Sequence, residues 1–145
     1  MNSNKEKIIG RVRGKLRADL SIEEIIGLLS SIPYFDWVGI YILEGDELVL
    51  GPYRGPVTPH VRIPLERGIC GRVARTGRAS IVDDVLSDDD YLQCNESVKS
   101  EIVVPIKGDD RILGVLDVDS KRPAAFDELD KGLLEEVALI LSRLL

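Results

Sequence analysis

The chain has 145 residues, enough for one domain with a sizeable core, and 44% of them are apolar, an ordinary share for a globular protein. A net charge of -6 speaks against a nucleic-acid partner and against a polybasic membrane surface, since both need a basic face. No apolar run nears the roughly 20 residues of a spanning helix, residues 2–7 are too polar for a signal peptide, and two cysteines make no secreted disulfide framework, so the expected compartment is the cytoplasm.

Ile8, Ile9, Val12 and Leu16 recur at helical spacing near the N-terminus. Ser21-Ile22-Glu23-Glu24 reads as a capping box, with Leu20 and Ile25 placed for a hydrophobic staple, and predicts a second helix from about Ile22 until Pro33. Trp37 to Leu43 is rich in β-formers; Glu44-Gly45-Asp46-Glu47 reads as a hairpin turn into Leu48-Val49-Leu50. Val61 to Ile63 is a short strand, Gly68 to Thr76 a short helix ended by Gly77, and Ala79 to Val82 another strand. A long polar connection, residues 87–100, precedes two strands, Glu101 to Ile106 and Arg111 to Asp119, joined by a turn at Lys107-Gly108-Asp109-Asp110. Leu133, Leu134, Val137, Leu141 and Leu144 place a final helix after Asp127. No repeat or linker interrupts this order. An α+β fold is expected, with helices at both ends of an antiparallel meander, as one domain spanning residues 1–145.

Two features carry chemistry. Cys70, in Gly68-Ile69-Cys70-Gly71, and Cys94, in Leu92-Gln93-Cys94-Asn95, lie outside apolar runs and read as accessible thiols. Cys70 falls at a helix start, where the dipole and free amides favour a thiolate, so local physics nominates it as the more activated of the two. Acidic neighbours (Asp88, Asp89, Asp90, Glu96) would raise the Cys94 pKa. Two unrelated structural cysteines are the competing reading, and the 24-residue separation matches neither a Cys-x-x-Cys site nor a zinc knuckle.

The second feature is Asp117 and Asp119, which share one face of a strand while Leu116 and Val118 take the other. Like charges side by side ask for a cation or a shared proton, unless they simply form a solvated strand end. Glu101 stands ready to join them, although alone it reads as an exposed strand start. Trp37 and Tyr41 also share a face and either wall a small-molecule pocket or pack in the core. His60 is the only histidine, so no metal site is expected. Arg62 and the run Asp88 to Asp90 read as solvated surface, and no phosphate loop is present.

Taken in order, Trp37-Val38-Gly39-Ile40-Tyr41, Leu50-Gly51-Pro52-Tyr53, Val61-Arg62-Ile63-Pro64, Gly68-Ile69-Cys70-Gly71, Ser100-Glu101-Ile102-Val103-Val104-Pro105-Ile106 and Gly114-Val115-Leu116-Asp117-Val118-Asp119-Ser120 resemble the free methionine-(R)-sulfoxide reductases, single-domain members of the GAF superfamily. The resemblance implies a central antiparallel sheet with helices packed on one face and a loop-covered pocket on the other. It implies Cys94 as nucleophile, Cys70 as a thiol of the covering loop, and Trp37, Tyr41, Glu101, Asp117 and Asp119 as pocket residues. The implied substrate is free methionine-(R)-sulfoxide, with no bound cofactor and an external dithiol such as thioredoxin as reductant. Many members carry a third cysteine just before Val-Arg-Ile-Pro; here His60 stands there, which implies the two-cysteine type, with Cys70 resolving. The resemblance thus favours Cys94 as the attacking thiol where local physics favours Cys70. A homodimer through the terminal helices is expected. Competing readings are a non-catalytic GAF sensor for a small ligand and a structural dimerisation module with chance thiols.

Overall fold

A computed structural model of the chain describes residues 3–93 and 95–145. Four helices, α1 (Ser3–Lys15), α2 (Ile22–Ser30), α3 (Gly68–Thr76) and α4 (Glu128–Ser142), accompany six strands: β1 (Trp37–Glu44), β2 (Glu47–Arg54), β3 (Arg62–Pro64), β4 (Ser80–Val82), β5 (Ser100–Lys107) and β6 (Ile112–Ser120). The strands form one antiparallel sheet in the order β3-β2-β1-β6-β5-β4. The expected single meander is therefore two, β1-β2-β3 and β4-β5-β6, joined by pairing of β1 with β6. That pairing brings residues 37 and 119 side by side at the centre of the sheet.

Alternation along the central strands sorts side chains onto two faces. Val38, Ile40, Ile102, Val104, Leu116 and Val118 point to one core, where they meet Ile25, Ile26 and Leu29 of α2 and Leu133, Leu134 and Val137 of α4. Trp37, Tyr41, Val103 and Val115 point to the other, where α3 supplies Ile69, Cys70 and Val73. Three helices thus seal one face and one short helix partly covers the other. The second face is left for loops to finish.

Local signals set most boundaries. Ser21 Oγ accepts from the Glu24 amide at 3.1 Å and the Glu24 carboxylate accepts from the Ser21 amide at 2.9 Å, completing the capping box. Gly77, in the left-handed conformation (φ 69°), ends α3. Strand β2 is longer than expected because the ladder crosses Gly51-Pro52 by an irregularity: Tyr41 pairs with Leu50 but Gly39 with Tyr53. An extra residue on one strand lets a proline sit in a sheet without breaking the pairing beyond it. Helix α1 packs against α4, pinned by Lys5, whose ammonium donates to Asp130 at 2.7 Å and to the Ala125 carbonyl at 2.8 Å. Among the described residues no helix is long and apolar enough to cross a membrane.

Candidate active site

Beneath the loops on the second face lies a cavity with aromatic and apolar walls and a few convergent polar groups, the kind of lining that small-molecule sites use. Its floor is the sheet. Glu101 of β5 lies directly across from Asp119 of β6, Asp119 pairs on its other side with Trp37 of β1, and Asp117 pairs with Gly39. All three carboxyls reach the cavity and are nearly inaccessible: Glu101 is 5% exposed, Asp117 6% and Asp119 2%. The solvated-strand-end reading of the two aspartates, and the exposed-start reading of Glu101, are both overturned. The twofold repeat of the strand carries them to the face opposite α1, α2 and α4, where α3 and the covering loops shut out water.

Three carboxyls in one dry site cannot all ionise. Burial first, then the charges of Asp117 and Asp119, push Glu101 well above the ordinary carboxylate range. Asp117 is raised too by burial, an effect opposed by hydrogen bonds it receives from Glu101 and Cys70. The two acids are thus set to share a proton, and the larger upward push falls on Glu101. Even so, Asp117 Oδ1 has no hydrogen-bond partner among the described residues. A buried carboxylate oxygen left in that state costs free energy until a cationic donor arrives.

Cys70 departs from the expectation of an accessible, activated thiol. It is 5% exposed, and burial, followed by the charges of Asp117, Glu101 and Asp119, pushes its pKa well up. The helix start is legible in the sequence, but the carboxylates it faces come from strands far along the chain and outweigh the dipole. Cys94 lies outside the described residues. Cys70, Glu101 and Asp117 each offer a donor atom, all within 4.8 Å of one another. A divalent cation there would have to displace the thiol and carboxyl protons.

The walls are aromatic. Trp37 stacks against Tyr41 (centroids 6.3 Å apart, planes at 26°) and Tyr53 (5.4 Å, 19°). Gly39 makes this possible: a Cβ there would lie 2.6 Å from the indole and 2.7 Å from the Tyr53 Cβ. Trp37 Nε1 donates to the Pro56 carbonyl at 3.1 Å and the Tyr41 hydroxyl donates to the His60 carbonyl at 2.9 Å, tying the β2–β3 loop over the cavity.

Sequence reasoning misses several wall residues. Thr58, Tyr91 and Leu92 line the cavity, and so does His60, whose Nε2 lies 3.0 Å from the Gln93 carbonyl. Tyr91 and Leu92 carry no periodic signal; their position before Cys94 is the only hint. The acidic run is also not simply solvated, because Asp88 and Asp90 both bind Arg72 of α3. Arg62 is exposed, as expected. A second, small cavity shares Trp37, Thr58 and Asp119 with the first and is bounded by Asn95 and Ser97.

A sheet of this order with an enclosed small-molecule cavity is the architecture of a GAF domain, and the GAF domain family model matches residues 19–145. The free methionine-R-sulfoxide reductase of Escherichia coli (strain K12) is 41% identical over 104 residues, covering 71% of this chain and 62% of that enzyme. The structure of the type II free methionine-R-sulfoxide reductase from Thermoplasma acidophilum superposes with a TM-score of 0.83 at 32% identity, covering 94% of each chain. The X-ray structure of the Neisseria meningitidis free methionine-R-sulfoxide reductase in complex with its substrate gives 0.80 at 38% identity, covering 95% of this chain and 83% of that one. The chain belongs to the GAF family and, within it, to the free methionine-R-sulfoxide reductases.

Proposed function

We propose that this protein reduces free methionine-(R)-sulfoxide to methionine. The observation that carries the reading is the buried trio of Glu101, Asp117 and Asp119 on the floor of one cavity, with one Asp117 oxygen unpartnered among the described residues; the crowding and burial that push Glu101 up favour a proton on that acid. An ammonium group meets that need, and a protonated acid meets the need of a sulfoxide oxygen. Asp117 and Asp119 bind the substrate's ammonium group, Glu101 donates to the leaving oxygen, and the Trp37–Tyr41 wall packs against the apolar end. The similarity to enzymes of this name, one of them solved with its substrate, supports the same assignment.

The Cys94 thiol gives up its proton and attacks the electrophilic sulfur; the oxygen, protonated by Glu101, then passes from that sulfur to the Cys94 sulfur as the bond between the two sulfurs breaks, so methionine leaves and Cys94 becomes a sulfenic acid. The Cys70 thiol then condenses with it, forming a disulfide and releasing water. An external dithiol, thioredoxin by family likeness, restores both thiols. The raised pKa of Cys70 suits this order, because a thiol held protonated leaves the first attack to the other cysteine. A sensor for cyclic nucleotides is the poorer reading, since a phosphate would face the same buried carboxyls.

Incubation with dithiothreitol and each epimer of free methionine sulfoxide tests the assignment. Methionine should form from the R epimer alone, and Cys94→Ser should abolish it; absence of methionine from the R epimer would end the proposal.

A further inference from the structure

One charged network outside the cavity has no part in the proposed chemistry. Arg72 lies two residues after Cys70 on α3 and turns away from the cavity, toward segment 88–93. Its guanidinium meets Asp88 end-on, Nη1 to Oδ1 and Nη2 to Oδ2, both at 2.9 Å. Nη1 also donates to Asp90 at 2.8 Å and Nη2 to Ser80 Oγ at 3.1 Å. Inside the segment, the Asp90 amide donates to Asp88 Oδ1 at 2.9 Å and the Tyr91 amide to the Asp88 carbonyl at 3.1 Å. One side chain of α3 thus sets the shape of a turn whose last residue, Tyr91, rests on the edge of the second core.

The turn sets the course of the next residues in the chain. Tyr91 and Leu92 form part of the cavity wall. Leu92 rests on the first residue of α3, where a Cβ at Gly68 would come within 3.0 Å of its δ-carbon. At the far end the Gln93 carbonyl meets His60 Nε2. By contrast the exposed Arg62–Glu47 pair, a single contact at 3.4 Å, fixes nothing at the cavity. Only 30% of the Arg72 side chain is exposed, and its planar fork serves two carboxylates at once.

We propose that Arg72 is a positioning residue: its fork fixes segment 88–93 against α3, so that Tyr91 and Leu92 close the cavity wall over the helix that carries Cys70. The role rests on the reductase reading for its kinetic consequence but on this geometry for its existence. Arg72→Lys is the informative variant, because lysine keeps the charge and loses the fork.

Steady-state kinetics with free methionine-(R)-sulfoxide and dithiothreitol, thermal unfolding, and amide hydrogen exchange of peptides covering 88–93 should be measured together. Arg72→Lys should lower kcat/KM about tenfold or more, chiefly through KM, the scale of a misplaced binding wall. Exchange in 88–93 should rise at least about tenfold while β5 and β6 stay protected and Tm shifts by only a few degrees. Asp88→Asn should reproduce the pattern more weakly, since Asp90 still binds the arginine. Unchanged exchange in 88–93, or kinetics within twofold of the unsubstituted protein, would overturn the role. An unsubstituted protein inactive on the sulfoxide would instead overturn the reductase reading, leaving the exchange rates to decide the role of Arg72.

Discussion

Two buried acids in this chain have opposite fates. Asp130, at the start of α4, is fully buried, yet its carboxylate accepts from Lys5 at 2.7 Å, the Tyr34 hydroxyl at 2.6 Å and the Asp127 amide at 2.9 Å. Asp117, almost as deeply buried on the other face, keeps one oxygen without a partner among the described residues and shares its site with two more carboxyls. The first acid is answered from within the chain; burial, then the hydrogen bond to Asp130 and its charge, push the Tyr34 hydroxyl up and keep it protonated. The second awaits a partner from outside. Burial alone therefore does not mark a functional acid, whereas burial without a counter-charge does.

The contrast can be broken from either side. The largest effect should come from Glu101→Gln, which removes the transferable proton while preserving shape. Activity should fall about 10²–10⁴-fold in kcat, with Tm unchanged or raised, because the amide is buried neutral without having to take up a proton on folding. A variant with full activity would show that the proton lies elsewhere.

Next in size is Lys5→Met, which leaves Asp130 buried without its cation and should cost about 3–5 kcal/mol of stability in denaturant titrations. Specific activity well below the melting range should hardly change, since α1 lies on the face away from the cavity. A stable variant with lost activity would invert the assignment of the two sites.

A smaller effect separates them by pH. The unfolded chain releases the Glu101 proton near the ordinary value of 4.5, while the folded protein keeps it to a much higher pH. Between those limits the folded state binds more protons, so stability falls as pH rises, by up to about 1.4 kcal/mol per pH unit for one proton. Glu101→Gln should flatten that limb of a Tm–pH curve; a curve identical to that of the unsubstituted protein would deny the shift. The smallest effect, about 1 kcal/mol, is expected for Ser21→Ala, an exposed cap with water available as a substitute.

Legibility in the sequence follows the range of the interaction. The capping box at Ser21, the span of α3 and the shared face of Asp117 and Asp119 depend on residues within a few positions, and all can be read from the chain alone. The run of β2 through Pro52 cannot, because the irregularity that accommodates it belongs to the pairing with β1. Lys5 and Asp130 are 125 positions apart, and nothing near either residue advertises the other. At the cavity, alternation and the family pattern point to Trp37, Tyr41, Glu101, Asp117 and Asp119, which the fold brings together. The electrostatics of Cys70 escape a local reading because its neighbours in sequence are not its neighbours in space. The fork of Arg72 turns an apparently solvated acidic run into the support of a cavity wall.

On this reading Glu101 holds a proton at neutral pH with no ligand bound. Carbon-13 NMR of a glutamate-labelled sample, with Glu101→Gln to assign the signal, reads this directly. The expected result is a Glu101 carboxyl still protonated at pH 7, with a shift that responds to added methionine. An ordinary carboxylate, ionised by pH 5 and indifferent to methionine, would contradict it.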